Sequence, residues 1–248
     1  MFSLPQFDPL ATPDTLVIAI VAFIAGVIRG FTGFGGPAFM LAILTMFYAP
    51  IVIIAKVLIV DFGTGCYLFK QVCVDVNWRR TLTLFIPTLL AMPLGHFLLF
   101  NVDAETMKRA IALIIAFTCV LMLSGVRYKA TLTTPLLIVV GILAGIVFGA
   151  TYIALVCVVA ILLGPDDKNS GRTLIIAWAF LTSIAYLLVS INSGATGWSD
   201  ISSALPGVVT YWFGAQVGSR GFRKSSEHRY RQIAVCTLLA ITVFSFIA

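Results

Sequence analysis

A glycine-rich stretch interrupts the first long apolar segment of the chain. The segment runs from Thr15 to Tyr48, and its sequence GFTGFGGP, from Gly30 to Pro37, has five glycines or prolines in eight residues. A helix cannot continue through such a stretch, so backbone polar groups are left without helical partners. Within a membrane, such groups are tolerated only where the protein buries them or where they line a cavity. We therefore expect the break to line a cavity.

The composition places this segment in a membrane. Apolar residues make up 60% of the chain and charged residues 10%, with a mean hydropathy of +1.06, whereas soluble domains have roughly 25% charged residues. Because about 20 residues cross the hydrocarbon core, the pattern predicts an all-α polytopic protein with apolar runs at 15–48, 50–69, 81–100, 106–124, 134–163, 173–191, 201–218 and 230–247. The N-terminus lacks the basic start of a signal peptide, so we expect the first run to be retained. We expect the five cysteines to be packing residues.

An internal repeat organises these runs. A shift of 119 residues aligns Gly30 with Gly149, Thr32 with Thr151 and Gly95 with Gly214, without a gap. The chain therefore reads as a tandem duplication, with residues 1–125 and 126–248 as the two halves of one transport domain. We expect four to five helical segments in each repeat. The small residues before each break form GxxxG patterns, which are typical of closely packed helices.

The distribution of basic residues indicates how the repeats are oriented. Residues 15–48 would form a helix of about 50 Å, too long for a core of about 30 Å, so a hairpin of two short helices is favoured. If each broken segment returns to the side it entered, 12 of the 14 cationic residues other than Arg29 and Lys56 lie on one side. This bias predicts inverted repeats with both termini outside. Eight simple spans with parallel repeats are the alternative.

The stretch AGVIRGFTGFGGP from Ala25 to Pro37, its echo AGIVFGAT from Ala144 to Thr151, the duplication and the chain length together resemble the TauE/SafE family of sulfite exporters. The resemblance covers nearly the whole chain. It implies transport of small anions, chiefly sulfite and organosulfonates, across a bacterial cytoplasmic membrane. The chain departs from the family pattern at the second break, which has Tyr152 where the first has Gly33.

The ionisable residues of the apolar runs point to an anion site. Charges near the bilayer centre are costly, so we expect Arg29, Lys56 and Asp61 to face a cavity or each other. A guanidinium can hold an oxyanion bidentately, and Pro37 suits the first turn of a half-helix whose free amides favour anions. The candidate substrate-binding residues are Arg29, Thr32, Gly33, Gly35, Gly36, Lys56, Thr151 and Tyr152, with Asp61 as the proton-coupling residue.

Each candidate also has a purely structural interpretation. Thr32 and Thr151 can satisfy helix carbonyls, Lys56 and Asp61 can form a structural charge pair, and Lys56 can instead reach the membrane interface. His96 can relay a proton or simply pack between helices. No motif for hydrolytic, nucleotide-dependent or metal-dependent catalysis is present in the sequence.

The residues favour a secondary transporter of small anions, rather than an enzyme, with alternating access at a midplane site between the two broken segments and with coupling to protons. The family resemblance implies that the exported anion is sulfite or an organosulfonate. An anion channel or passive pore is one alternative, and a membrane scaffold protein is another. We expect no cofactor and no metal. The expected partners are a small anion and membrane lipid, with a homo-oligomer as an option and without nucleic acid.

Overall fold

The computed structural model describes residues 12–48, 50–123, 133–192, 198–226, 228–230, 232–233 and 236. Every regular element in these ranges is helical. The principal helices are α1 (Thr12–Thr32), α2 (Gly36–Leu44), α3 (Pro50–Val72), α4 (Trp78–Asn101), α5 (Ala104–Leu123), α6 (Thr134–Thr151), α7 (Leu155–Leu162), α8 (Lys168–Asn192) and α9 (Trp198–Lys224). A short 3₁₀ turn, Cys73–Asp75, follows α3. The all-α prediction is confirmed for the described residues, and most of the predicted run at 230–247 lies outside them.

Both overlong apolar runs are broken helices. The first is divided between α1 and α2, and the second between α6 and α7. Pro37 lies in the first turn of α2, as predicted. A methyl group added at Gly36 would lie 2.7 Å from the carbonyl oxygen of Ala25 and 2.8 Å from Cβ of Arg29. The start of α2 therefore lies beside the last turns of α1, and the chain folds back at the break.

The most extensive helix contacts join α1 to α9 and α6 to α4. Gly26 and Gly30 of α1 lie directly against the backbone of Tyr211 and Ala215 in α9. Because a methyl group at either glycine would overlap a carbonyl oxygen, only glycine allows this approach. Gly145 and Gly149 of α6 lie in the same way against the backbone of α4. Each helix that precedes a break is thus packed, backbone to backbone, against a helix of the other half of the chain.

The contacts also define how the helices run relative to one another. Gly26 and Gly30 meet successive turns of α9, so α1 and α9 are parallel. The helix α3 also runs parallel to α9, since Gly207 contacts Val60 and Trp212 contacts Tyr67.

The helix α4 runs parallel to both α6 and α8. Gly141 and Gly145 meet successive turns of α4, while Arg80 contacts Asp166, just before α8, and Thr88 contacts Trp178 within it. In contrast, α3 and α8 are antiparallel, because Asp61 lies near Ser183 whereas Val72 and Val76 pack against Ile176. The helices α1, α3 and α9 therefore form one parallel set, and α4, α6 and α8 form a second set of opposite direction.

Four stretches in the described residues are long and apolar enough to cross a membrane: Ile53–Asp75, Trp78–Asn101, Thr134–Thr151 and Lys168–Asn192. Large apolar side chains project outward from α4 and α5, such as Leu90, which is 77% exposed, and Phe117, which is 66% exposed. Lipid can cover such surfaces at no cost in hydrophobic free energy. The protein is therefore a multi-pass membrane protein.

Polar residues mark the connections between helices. Asn77 accepts a hydrogen bond from the amide of Arg80 at the start of α4. Asp167 accepts hydrogen bonds from Ser170 and from the amide of Asn169 at the start of α8, and these bonds hold the pKa of its carboxyl below the ordinary value. The ends of these helices thus lie outside the apolar region.

We predict that Gly214→Ala destabilises the fold, because a methyl group there would overlap the carbonyl oxygen of Phe23 in α1. Overpacking of this kind costs about 1–3 kcal/mol. The control is Gly65→Ala, whose added methyl group would lie 3.6 Å from the side chain of Phe180, an ordinary contact. Thermal unfolding of the purified protein in detergent measures both variants. Equal unfolding temperatures for the two variants would contradict the close packing of α1 on α9.

Candidate functional site

The two breaks share a local structure that a threonine stabilises. The Thr32 hydroxyl donates to the carbonyl of Ile28 at 2.8 Å and accepts from the amide of Phe34 at 3.1 Å. The Thr151 hydroxyl donates to the carbonyl of Val147 at 2.7 Å and accepts from the amide of Ile153 at 3.2 Å. Both hydroxyls therefore satisfy the ends of the broken helices, as the structural interpretation of these threonines predicts.

Left-handed backbone conformations turn the chain at both breaks. Gly33 and Gly35 have φ of 83° and 82°, values that favour glycine because a Cβ atom would be strained there. At the second break this conformation belongs to Tyr152, with φ of 56°. The left-handed residue in the turn after α6 therefore carries a side chain, whereas the left-handed residues in the turn after α1 are glycines.

A buried ion pair links the first break to α3. The Arg29 Nε atom lies 3.0 Å from Oδ1 of Asp61, and both side chains are 3% exposed. Nη2 of Arg29 donates to Oδ2 of Asp61 at 3.2 Å, and Nη1 donates to the carbonyl of Gly33 at 2.7 Å. The guanidinium thus holds the turn and the carboxylate together. The expectation that the intramembrane charges face one another is confirmed for Arg29 and Asp61.

Hydroxyl groups from the second half of the chain surround the same carboxylate. The Tyr211 hydroxyl donates to Oδ1 of Asp61 at 2.8 Å. The Tyr152 hydroxyl lies 3.4 Å from Oδ2 of Asp61 and 2.9 Å from Oγ of Ser183. Asp61 therefore lies between one cation and two phenols.

These groups border a small cavity that both breaks line. The residues that line it come from both halves of the chain and are Arg29, Gly35, Pro37, Ala38, Asp61, Phe148, Tyr152, Ala154, Leu155, Ala179 and Ser183. The start of α2 and its positive dipole end thus border the same space as the guanidinium. The break lines a cavity, as the glycine-rich sequence predicts.

The other predicted site residues lie around this cavity or farther away. Gly36 packs its backbone against Ala25, Arg29 and the Tyr211 hydroxyl, and Gly33 accepts a hydrogen bond from Arg29 through its carbonyl. Lys56 is partly buried in α3 and is not among the described residues that line the cavity. His96 is buried and packs edge-on against Phe100 and Tyr186.

Sequence reasoning missed three polar residues at or beside this site: Tyr211, Ser183 and Arg172. The first two bind Asp61 directly or through Tyr152. The sequence pattern assigns Arg172 to a polar connection, but the structure buries it within α8, where it donates to the carbonyl of Gly30 at 2.7 Å. An isolated arginine next to an apolar run was the only available signal, since the contact joins residues 142 positions apart.

The site provides charge and hydroxyl donors rather than a metal centre. Among the described residues, no group of three or more histidine, cysteine, aspartate or glutamate side chains is placed to hold a metal ion. A guanidinium, phenolic hydroxyls and a helix N-terminus are all donors to an oxyanion.

Membrane-crossing helices, two broken helices and a charged cavity together define a multi-pass membrane protein with an internal polar site. Residues 18–245 match the family model described as Sulfite exporter TauE/SafE. The chain thus belongs to the TauE/SafE family, which is a family of transporters. No curated protein and no solved structure matches the chain. The family suggests membrane export of sulfite or a related anion as the general activity.

We predict strong energetic coupling between Arg29 and Asp61. Arg29→Gln or Asp61→Asn alone leaves a buried charge without its partner, which costs about 3–5 kcal/mol. The double variant should lose much less than the sum of the two single losses, because it leaves no charge behind. Unfolding free energies from a double-mutant cycle measure this. The control is Glu105→Gln in the exposed pair with Arg109, where little change is expected. Additive losses for Arg29 and Asp61 would contradict the coupling.

Proposed function

We propose that the protein is a secondary transporter that exports sulfite or organosulfonates across the bacterial cytoplasmic membrane. The observation that carries the proposal is the buried Arg29–Asp61 ion pair in a cavity lined by both broken segments. A cation that is held by a carboxylate can exchange that partner for an anionic substrate, and no buried charge is left unpaired when the carboxylate takes up a proton in the same step. Membership of the TauE/SafE family supports the substrate class.

The directions of the helices support an inverted repeat. Under the proposed duplication, α1, α3 and α4 correspond to α6, α8 and α9. The set formed by α1, α3 and α9 then corresponds to the set formed by α6, α8 and α4, and the two sets run in opposite directions. Eight simple spans would instead make α4 antiparallel to α8, which disagrees with the Arg80–Asp166 contact. Inverted repeats are a common basis for alternating access around a fixed site.

Asp61 is the group that we assign to proton coupling. A proton that binds one oxygen of Asp61 removes the carboxylate charge, and Arg29 is then left with Nε and Nη2 directed into the site. An oxyanion takes the place of the carboxylate on these two donors, in the bidentate geometry that guanidinium favours. Hydroxyl donors for either the Asp61 carboxyl or the oxyanion come from Tyr211, Tyr152 and Ser183. Anion and proton therefore occupy the site together.

We predict that Arg29→Lys lowers the affinity of the transporter for its substrate about tenfold or more. The reason is that lysine has one ammonium group in place of the planar, forked guanidinium of arginine. Uptake of labelled sulfite into inside-out proteoliposomes measures this, with methanesulfonate, sulfate, acetate and a neutral sugar as competitors. Arg79→Gln, an exposed arginine, is the control and should transport normally. Competition by acetate or the sugar alone would overturn the substrate class. Wild-type membranes that bind and transport none of these solutes would favour a scaffold role.

We also predict that Asp61→Asn abolishes accumulation driven by a proton gradient but keeps anion exchange, since asparagine resembles the protonated acid and carries no titratable group. Counterflow of labelled sulfite against unlabelled sulfite measures the exchange, and the same vesicles with an imposed pH gradient measure the accumulation. Saturable counterflow indicates a carrier, whereas a channel or passive pore shows none. Accumulation by Asp61→Asn at the wild-type level would remove Asp61 from the coupling step.

A further inference from the structure

A second buried arginine lies beside the first break. Arg172 of α8 is 5% exposed. Its Nη2 atom donates to the carbonyl of Gly30 at 2.7 Å, and its Cζ atom lies 4.2 Å from the centre of the Phe222 ring. The carbonyl belongs to the last turn of α1, whose dipole end is weakly negative. Arg172 thus contacts the break from outside α1, through a helix of the other half of the chain.

The charge of Arg172 is balanced differently from that of Arg29. Arg29 has the carboxylate of Asp61 as a partner, whereas no carboxylate in the described part of the chain lies within ion-pair distance of Arg172. Its Nε atom is buried without a hydrogen-bond partner among the described residues. A carbonyl and an aromatic ring offset only part of the cost of burying a full charge. The described surroundings of the break therefore hold two guanidiniums and one carboxylate.

Both guanidiniums hold the same turn of the chain. Arg29 binds the carbonyl of Gly33, and Arg172 binds that of Gly30. A methyl group added at Gly33 would lie 3.0 Å from Cγ of Arg172. The turn therefore has only backbone atoms at the point where the Arg172 stem passes it, which keeps the second cation close to the site that holds the first.

Arg172 also adjoins an exposed basic surface. Lys168, one turn earlier on α8, donates to the carbonyl of Ser225 at 2.5 Å and lies 5.1 Å from the centre of the Phe222 ring. The surrounding residues Arg220, Arg223, Lys224 and Arg229 are exposed. A cluster of like charges raises the local concentration of anions. Arg172 is thus the buried cation between this surface and the ion pair of Arg29.

We propose that Arg172 is a second anion-binding residue, which takes a small oxyanion on its Nε edge. The anion would lie between the cavity of Arg29 and the basic surface formed by Arg220, Arg223, Lys224 and Arg229. The proposal rests on the transport of anions proposed above and extends it with a residue of α8. When Asp61 is protonated, as in the coupling step proposed above, the two cations are neutralised by a dianion and not by a monoanion. Arg172 should therefore contribute more to the binding of sulfite than to that of methanesulfonate.

Isothermal titration of purified protein with sulfite and with methanesulfonate tests this. Arg172→Gln keeps a donor for the Gly30 carbonyl and removes the charge, and Arg172→Lys keeps the charge and removes the fork. We expect sulfite affinity to fall at least tenfold in Arg172→Gln and about threefold in Arg172→Lys, with a smaller loss for methanesulfonate. Arg79→Gln, an exposed change at the start of α4, should bind as the wild type does.

Unfolding temperatures measured without ligand distinguish a role of Arg172 in anion binding from a structural role at the end of α1. A lower unfolding temperature with unchanged sulfite affinity in Arg172→Gln would overturn the proposal and leave a structural role. If Arg172→Gln does not fold, equal sulfite affinities of wild type and Arg172→Lys would overturn it instead. A wild-type protein that binds neither anion would contradict the proposed transport function itself, and the binding role of Arg172 with it.

Discussion

The ion pair between Arg29 and Asp61 is the interaction on which the centre of the protein depends. Both side chains are buried, and a single charge left at that depth would be far more costly than the pair. The pair fixes α1 against α3, and the hydroxyls of Tyr211 and Tyr152 then join α9 and the second break to the same carboxylate. The helices α1, α8 and α9 and the second break are thus linked, directly or through one residue, to Asp61.

Under the proposed duplication the scaffold is repeated, but the charged chemistry is not. In the aligned repeats, Arg29 corresponds to Phe148 and Asp61 to Phe180, so only the first half supplies the ion pair. The second half supplies Tyr152 at the position of Gly33, together with Ser183 and Tyr211. The cavity is therefore shared by the two halves, with the charges from one and most of the hydroxyls from the other. A site of this kind has a single charged pair to exchange for a substrate.

The sequence predicted the features that depend on local patterns. The lengths of the apolar runs predicted the positions of the helices, and the glycine and proline residues predicted the first break. Both depend on backbone conformation, which is set by neighbouring residues. The expectation that Arg29, Lys56 and Asp61 face a cavity or each other followed from the cost of burying charge, but it did not single out Arg29 as the partner of Asp61. Tyr211, Ser183 and Arg172 were not predicted, because their roles arise from contacts between distant segments. Tyrosine and serine are common in membrane helices as packing residues, so nothing in their own neighbourhood marked them.

The register of the helix pairs explains why Tyr211 was hidden. Gly26 and Gly145 are 119 residues apart, but the residues that they meet, Tyr211 and Thr88, are 123 apart. The two interfaces therefore match only when α9 is displaced by one helical turn from the gapless alignment, and Tyr211 corresponds to Thr88 rather than to Met92. Thr88 accepts a hydrogen bond from Trp178 and donates to the carbonyl of Gly141. The same position thus supports helix packing in one half and binds the central carboxylate in the other.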